Sequence, residues 1–169
     1  GTGFEFVNEV VGGVIPSQFI PAVEKGVRHL LERGSFAGFP MQDLRVAVYD
    51  GKHHAVDSKE IAFVMAGRKA FLDAIAKAKP VVLEPVVDIE ISVPSSCMGD
   101  IAGDLSSRRG RVGNTDALSG SMISITGQVP LAEIDDYQSR LKSMTGGDGT
   151  YNIEFRSYEP APGDVQKRL

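Results

Sequence analysis

Residues 86–93 read Val86-Val87-Asp88-Ile89-Glu90-Ile91-Ser92-Val93, in which Val87, Ile89, Ile91 and Val93 are separated by polar residues. Alternation at period two marks a strand with one face buried and the other open to water. Downstream, Pro94-Ser95-Ser96 leads into a segment whose apolar residues Met98, Ile101, Ala102 and Leu105 recur at helical spacing until Gly110 stops it. Arg111-Val112 with its neighbours, and Met122 to Val129, read as two strands around a polar turn at Asn114 to Gly120. A helix is predicted over 131–144, with Ile134, Tyr137, Leu141 and Met144 inward. A last strand over 150–158 and a loop from Glu159 follow. The order β-α-β-β-α-β is the split βαβ, or ferredoxin-like, arrangement.

Upstream, Phe4 to Val10 alternates as a strand, Gly12-Gly13 breaks it, and Ser17 is a candidate N-cap. Ile20, Val23, Val27, Leu30 and Leu31 then recur on one helical face up to Gly34. Residues 43–49 alternate as a second strand closed by Asp50-Gly51. Asp57 or Ser58 caps a second helix, with Ile61, Val64, Met65, Leu72 and Ile75 on its apolar side and Lys79-Pro80 at its end. Pro80 to Glu84 reads as an extended exit strand able to close the first sheet. The expectation is α+β throughout, with one domain over 1–82 and a ferredoxin-like one over 83–169, joined without a Gly/Ser linker.

The 169 residues, 42% hydrophobic and 24% charged, have an ordinary globular composition, and their length excludes a large multidomain enzyme. The formal charge of −4 excludes an all-basic nucleic-acid glove but not a local patch. Residues 1–84 carry 10 basic and 10 acidic side chains, against 8 and 12 in 85–169, so the acidic excess belongs to the second half. Cys97 is the single cysteine, which predicts no intrachain disulfide, a packing role and a reducing, cytoplasmic location. No apolar run approaches the roughly 20 residues of a membrane span.

Three segments carry chemistry-bearing residues. Lys52-His53-His54-Ala55-Val56-Asp57 lies between a strand and a helix. Two imidazoles and one carboxylate in a turn make a poor metal site, so a solvated turn and a contact to RNA or protein stand beside that reading. Gly12-Gly13-Val14-Ile15-Pro16-Ser17-Gln18 also runs from a strand into a helix start, where free N–H groups favour anions, or serves as a tight connection. Both loops follow a strand and precede a helix, which places them at one end of the first domain. Ser106-Ser107-Arg108-Arg109-Gly110-Arg111 is the one concentrated basic stretch in the acidic half, able to complement a helix C-terminus or to hold RNA phosphate. Asp100, Asp104 and Asp135-Asp136 are expected on solvated helix surfaces or as helix-start charges, not as a catalytic dyad. The sequence lacks G-x-x-x-x-G-K-[ST], H-E-x-x-H and G-x-S-x-G, so no catalytic residue and no metal ligand is assigned.

Longer segments resemble one family. FEFVNEVVGGVIPSQFIPAVEKGV (4–27), HHAVDSKEIAFVMAGRKAF (53–71), AKPVVLEPVV (78–87), MGDIAGDLSSRRGRV (98–112) and VPLAEIDDYQSRLKSMTGGDGTYNIEF (129–155) are similar to the C-terminal two domains of elongation factor G, in the family's order. The resemblance implies a domain four with the left-handed βαβ fold shared with ribosomal protein S-five, N-terminally truncated here, then a ferredoxin-like domain five. It implies that Gly12 to Gln18, His53, His54 and Asp57 form a tip that enters the small-subunit decoding centre beside tRNA and mRNA. Arg108, Arg109 and Arg111 would face large-subunit RNA near the sarcin–ricin loop and the stalk base. GTP and magnesium would belong to a GTPase domain upstream of Gly1, leaving no cofactor in this stretch, and the parent would be a monomer that binds the ribosome and no membrane. His53 stands where the family usually has Tyr, Phe19 where Tyr is common, Ala55 at a usually polar position and Ser107 where a further Arg is frequent. These departures suit a diverged paralogue as well as the main translocase; among paralogues, the retained GGVIP and H-x-V-D pattern speaks against a ribosomal-protection factor and leaves a recycling factor as the alternative. A small-molecule-binding ferredoxin-like module is the reading from another class, and it requires a closed apolar pocket in the second half.

Overall fold

The computed structural model describes residues 3–34, 38–41, 43–56 and 58–168. The chain divides into two compact units, residues 1–80 and 81–168. The fold class is α+β: one unit is built on a parallel strand pair and the other on an antiparallel sheet.

In the first unit, β1 (Phe4–Asn8) and β2 (Leu44–Val48) pair in parallel, with Phe4 opposite Leu44 and Asn8 opposite Val48. The return path between parallel neighbours is supplied by α1 (Ile20–Arg33). Phe4, Phe6, Leu44 and Val46 pack towards the helices, whereas Glu5, Arg45 and Glu9 form exposed ion pairs, with Arg45–Glu5 at 3.3 Å. Ser17 does not cap α1. Residues Ser17–Phe19 make a 3-10 turn, Pro21 sits in the first turn of the helix, where its missing N–H costs nothing, and Gly34 ends it at φ 75°.

The second helix, α2 (Glu60–Lys77), buries Val64 and Ile75 as expected but is rotated away from the other three residues of the predicted side. Phe63, Val64, Gly67, Phe71 and Ile75 face inward, and Ile61, Met65 and Leu72 are exposed. Two glycines explain the rotation. A Cβ on Gly26 of α1 would overlap the Val64 carbonyl, and one on Gly67 would lie 2.7 Å from the Val23 carbonyl. The helices therefore meet backbone to backbone, a contact that a count of large apolar residues does not register. Lys59, not Ser58, occupies the N-cap position, and Asp57 lies outside the described residues.

Residues 80–84 do not close the first sheet. Leu83 and Glu84 open β3 (Leu83–Pro94) and pair with Pro160 and Glu159 in the second unit. That unit continues with α3 (Met98–Ser107), β4 (Arg111–Ala117), β5 (Met122–Pro130), α4 (Tyr137–Thr145), β6 (Thr150–Pro160) and α5 (Gly163–Gln166). Sheet order β4-β5-β3-β6, with every pair antiparallel, is the ferredoxin-like topology. Val87, Ile89, Ile91 and Val93 point into a core closed by Ile101 and Leu105 of α3 and by Leu141 of α4.

The predicted helix over 131–144 divides into a 3-10 turn at Leu131–Glu133 and α4, because Ile134 leaves helical geometry to drop into the core. Strand β4 runs on to Ala117, into the predicted turn, and β6 runs through Glu159, where a loop was expected, because β3 supplies partners that far.

Tyr137 is fully buried, set edge-on to Tyr151 at 5.1 Å, and its hydroxyl has no hydrogen-bond partner among the described residues. Burial, with the Asp104 charge adding to it, pushes the phenol up to about 12.

Gly26→Ala should destabilise the first unit by about 1–3 kcal/mol in urea unfolding, the backbone clash outweighing the helix-propensity gain of about 1 kcal/mol. Tyr137→Phe should be neutral or stabilising by up to about 1 kcal/mol at neutral pH, because no hydrogen bond is lost. Below its ordinary value of 10.0 the phenol is neutral in both folded and unfolded chains, and stability falls as pH rises from there towards about 12, because only the unfolded chain ionises it freely. The variant should therefore lose less stability over this alkaline window than the wild type.

Candidate nucleic-acid interface

Parallel strands in register end side by side, so the segments leaving β1 and β2 emerge together. The Glu9 N–H donates to the Val48 carbonyl at 2.8 Å and carries the alignment past the last ladder pair. Gly12 and Gly13 then turn the chain at φ 70° and 69°, a left-handed pair that side chains with a Cβ rarely adopt. Ile15 is buried against Gly51, where a Cβ would lie 2.5 Å from its side chain, and this seats the first loop on the second. The Phe19 ring stacks on Phe63 at 4.4 Å and anchors the loop's far end.

His53 closes the pair from the other side: its Nδ1 donates to the Val14 carbonyl at 3.3 Å. The His54 N–H donates to Ser58 Oγ at 2.9 Å, and the Ser58 N–H donates back to the His54 carbonyl at 3.1 Å. This reciprocal turn holds the His54 backbone while its side chain stays exposed. Gly12, Gly13, Val14, Ile15, Pro16, Ser17, Gln18, His53 and His54 thus belong to one two-loop end, and Asp57 falls outside the described residues. Sequence reasoning missed Val11 and Tyr49, which are 80% and 73% exposed beside the same two loops, where Val56 of the histidine segment is 89% exposed. An aromatic at the outward exit of β2 was the available signal for Tyr49. Exposed rings and imidazoles beside a lysine are the side chains that stack on bases and reach phosphate. Among the described residues no three His, Cys, Asp or Glu side chains converge as a metal site would require.

The arginine segment forms a corner in the second unit. Arg108 Nε donates to Asp104 at 2.8 Å, its Nη1 donates to Asp136 at 2.7 Å and to the Glu133 carbonyl, and its guanidinium lies 5.3 Å from the Tyr137 ring centre. Arg109 grips Glu84 with two nitrogens at 2.6 and 2.9 Å and donates from Nε to Glu133 at 2.8 Å. Both guanidiniums are held above their usual range, Arg108 chiefly by Asp136 and Arg109 chiefly by Glu84. The Arg108 hydrogen bond holds the Asp136 carboxyl below its usual range. Asp104 and Asp136 are therefore ion-pair partners: Asp136 stands 71% exposed at the start of α4, as expected, whereas Asp104 is 8% exposed because Arg108 and Arg140 cover it. Arg111 differs: its side chain is 76% exposed and its ion pair is a 3.9 Å approach to Glu159.

A concavity of about 720 Å³ is an open groove on the sheet face away from α3 and α4, lined by Asp88, Glu90, Arg111, Gln128, Asn152 and Glu154 among others. It is not the closed apolar pocket that a small-molecule module requires. None of its described lining residues is aromatic, so its floor offers bases no stacking platform. No described helix is long and apolar enough to cross a membrane.

A βαβ unit with a two-loop tip, followed in the chain by a ferredoxin-like unit with an arginine corner, defines an α+β module pair. Residues 1–79 match the family described as elongation factor G, domain IV, and residues 81–169 match elongation factor G C-terminus. The chain belongs to the elongation factor G family. It is 43% identical, over all of its 169 residues, to an elongation factor G-like protein of Thermotoga maritima, of which it spans 25%. A crystal structure of a Thermus thermophilus protein superposes on 99% of the chain with a TM-score of 0.77 at 36% identity, matching 25% of that chain. The chain thus spans about a quarter of the length of the curated relative it matches.

Asp136 yields a pH-dependent outcome. Its lowered carboxyl contributes stability that is present above the ordinary value of 3.8 and is lost as pH falls through the folded-state value. Asp136→Asn should flatten the acid limb of a thermal-unfolding profile below about pH 4.

Proposed function

We propose that this chain is the ribosome-binding C-terminal part of a translational GTPase and promotes tRNA–mRNA translocation in the cytoplasm by inserting its two-loop tip into the decoding site. The observation that carries the reading is the coupling of the loops through His53 Nδ1 and the Val14 carbonyl, with Ile15 seated on Gly51. A tip stiffened in this way can block the return of a moving tRNA–mRNA pair, which a pair of independent loops cannot do. His54, Lys52 and Tyr49 are the side chains free to meet RNA, by hydrogen bond, charge and stacking. The corner of Arg108, Arg109 and Arg111 is the second contact, on large-subunit RNA.

The contribution of these residues is binding and obstruction. GTP and magnesium belong to a part of the parent outside this chain, which carries no G-x-x-x-x-G-K-[ST] loop to cradle phosphates. Family membership supports the translational role, and the exposed residues of the tip support its contact with RNA.

The test is single-round translocation and GTP hydrolysis by the full-length parent, wild type beside His54→Ala. The expected result is translocation slowed by an order of magnitude or more with hydrolysis unchanged. Unchanged translocation removes His54 from the contact. A wild type that hydrolyses GTP on ribosomes without translocating moves the assignment to a recycling paralogue, for which the readout is splitting of post-termination complexes.

A further inference from the structure

The three arginines of the corner differ in what they have left to offer. Each nitrogen of Arg109 already has a carboxylate partner, two on Glu84 and the third on Glu133. Arg108 is enclosed by Asp104, Asp136 and the Glu133 carbonyl, and its side chain is 14% exposed. With Arg140 on the second oxygen of Asp104, three guanidiniums face four carboxylates, those of Glu84, Asp104, Glu133 and Asp136. An approaching phosphate meets no surplus positive charge there. Arg111, two residues beyond Arg109, lines a shallow pocket beside Arg109 and Glu84, but among the described residues its one ion pair is the 3.9 Å approach to Glu159, and its side chain is 76% exposed.

The cluster also has a mechanical role. Arg109 holds a left-handed backbone, φ 59°, at the turn from α3 into β4, a conformation that side chains with a Cβ seldom adopt. Its fork on Glu84 ties this turn to the start of β3, and its hold on Glu133 ties it to the turn before α4. The Gly110 N–H donates back to the Leu105 carbonyl at 2.8 Å, so the turn is short and its direction sets where β4, and Arg111 as its first residue, begins.

We infer that Arg111 is the direct phosphate contact of this corner, and that Arg108 and Arg109 are positioning residues which aim it through the Glu84–Glu133–Asp104–Asp136 carboxylate cluster. The inference rests on the ribosome-binding reading above and divides roles within it. The partner chemistry is an RNA phosphodiester, met by one exposed guanidinium.

The experiment measures the Kd of the full-length parent for purified ribosomes between about 0.05 and 0.2 M salt. The variants are Arg111→Gln, Arg109→Gln, Glu84→Gln and the charge exchange Arg109→Glu with Glu84→Arg, each checked by thermal unfolding. Arg111→Gln should weaken binding about tenfold and lower the slope of log Kd against log salt by about one, with unfolding unchanged. Glu84→Gln should weaken binding in the same direction as Arg109→Gln, both at wild-type slope, and the exchange should recover part of the loss.

Tighter binding by Glu84→Gln overturns the division, because freeing a phosphate-binding Arg109 from its carboxylate would raise affinity. A slope lowered by Arg109→Gln and not by Arg111→Gln overturns it as well. Should Arg109→Gln fail to fold, the Glu84→Gln sign and the Arg111→Gln slope decide alone. A wild type that does not bind ribosomes overturns the ribosome-binding reading itself and this division with it, whereas binding with the wrong slopes overturns only the division.

Discussion

Parallel pairing of β1 with β2 is the constraint on which the candidate interface depends. Two strands running the same way in register must end at the same edge, so whatever follows each is delivered to one place. Here that is a glycine-turned apolar loop and a histidine loop. The crossover helix α1 makes the pairing possible, and its backbone contact with α2 through Gly26 and Gly67 holds the helices close enough to cover the inner face of a sheet that is two strands wide among the described residues. Loosening that contact would reach the tip through the strands. The conformation of the tip is thus a property of the unit's packing as much as of its loop residues.

The second unit solves a different problem. Its sheet is covered on one face by α3 and α4, and the chain must change direction sharply between α3 and β4. Arginines at a helix end are ordinarily read as complements to the dipole. In this corner they do more, because carboxylates from β3, α3, the turn before α4 and the residue preceding α4 converge on them. Buried or half-buried ion pairs of this kind are weak sources of net stability but strong sources of geometric specificity, since a misplaced turn would strand a charge. The acidic balance of residues 85–169 acquires a structural meaning: several of its carboxylates are committed to fixing arginines.

Period-two alternation in Val86 to Val93 was enough to place the central strand, and the order of apolar segments was enough for the ferredoxin-like topology, because both reflect one-sided burial, which is local in sequence. The glycine turn and the histidine loop were legible for the same reason: each lies between a strand and a helix. What failed was the face of α2, the helix predicted over 131–144 and the destination of residues 80–84. Each of these depended on a partner distant in the chain: Gly26 for α2, the core pocket that takes Ile134, and β6 for Leu83 and Glu84.

The class of fold, the family and the segments that carry the candidate residues are legible along the chain, since hydrophobic period, turn residues and motif order are written there. Which candidates stand together and which remain free was settled by folding. It joined Val14 to His53 across 39 residues, and it committed Arg108 and Arg109 to carboxylates 24 to 28 residues away while leaving Arg111 exposed. A side chain's availability depends on the neighbours that folding brings to it, and charge pairing between residues this far apart leaves no local trace in the sequence.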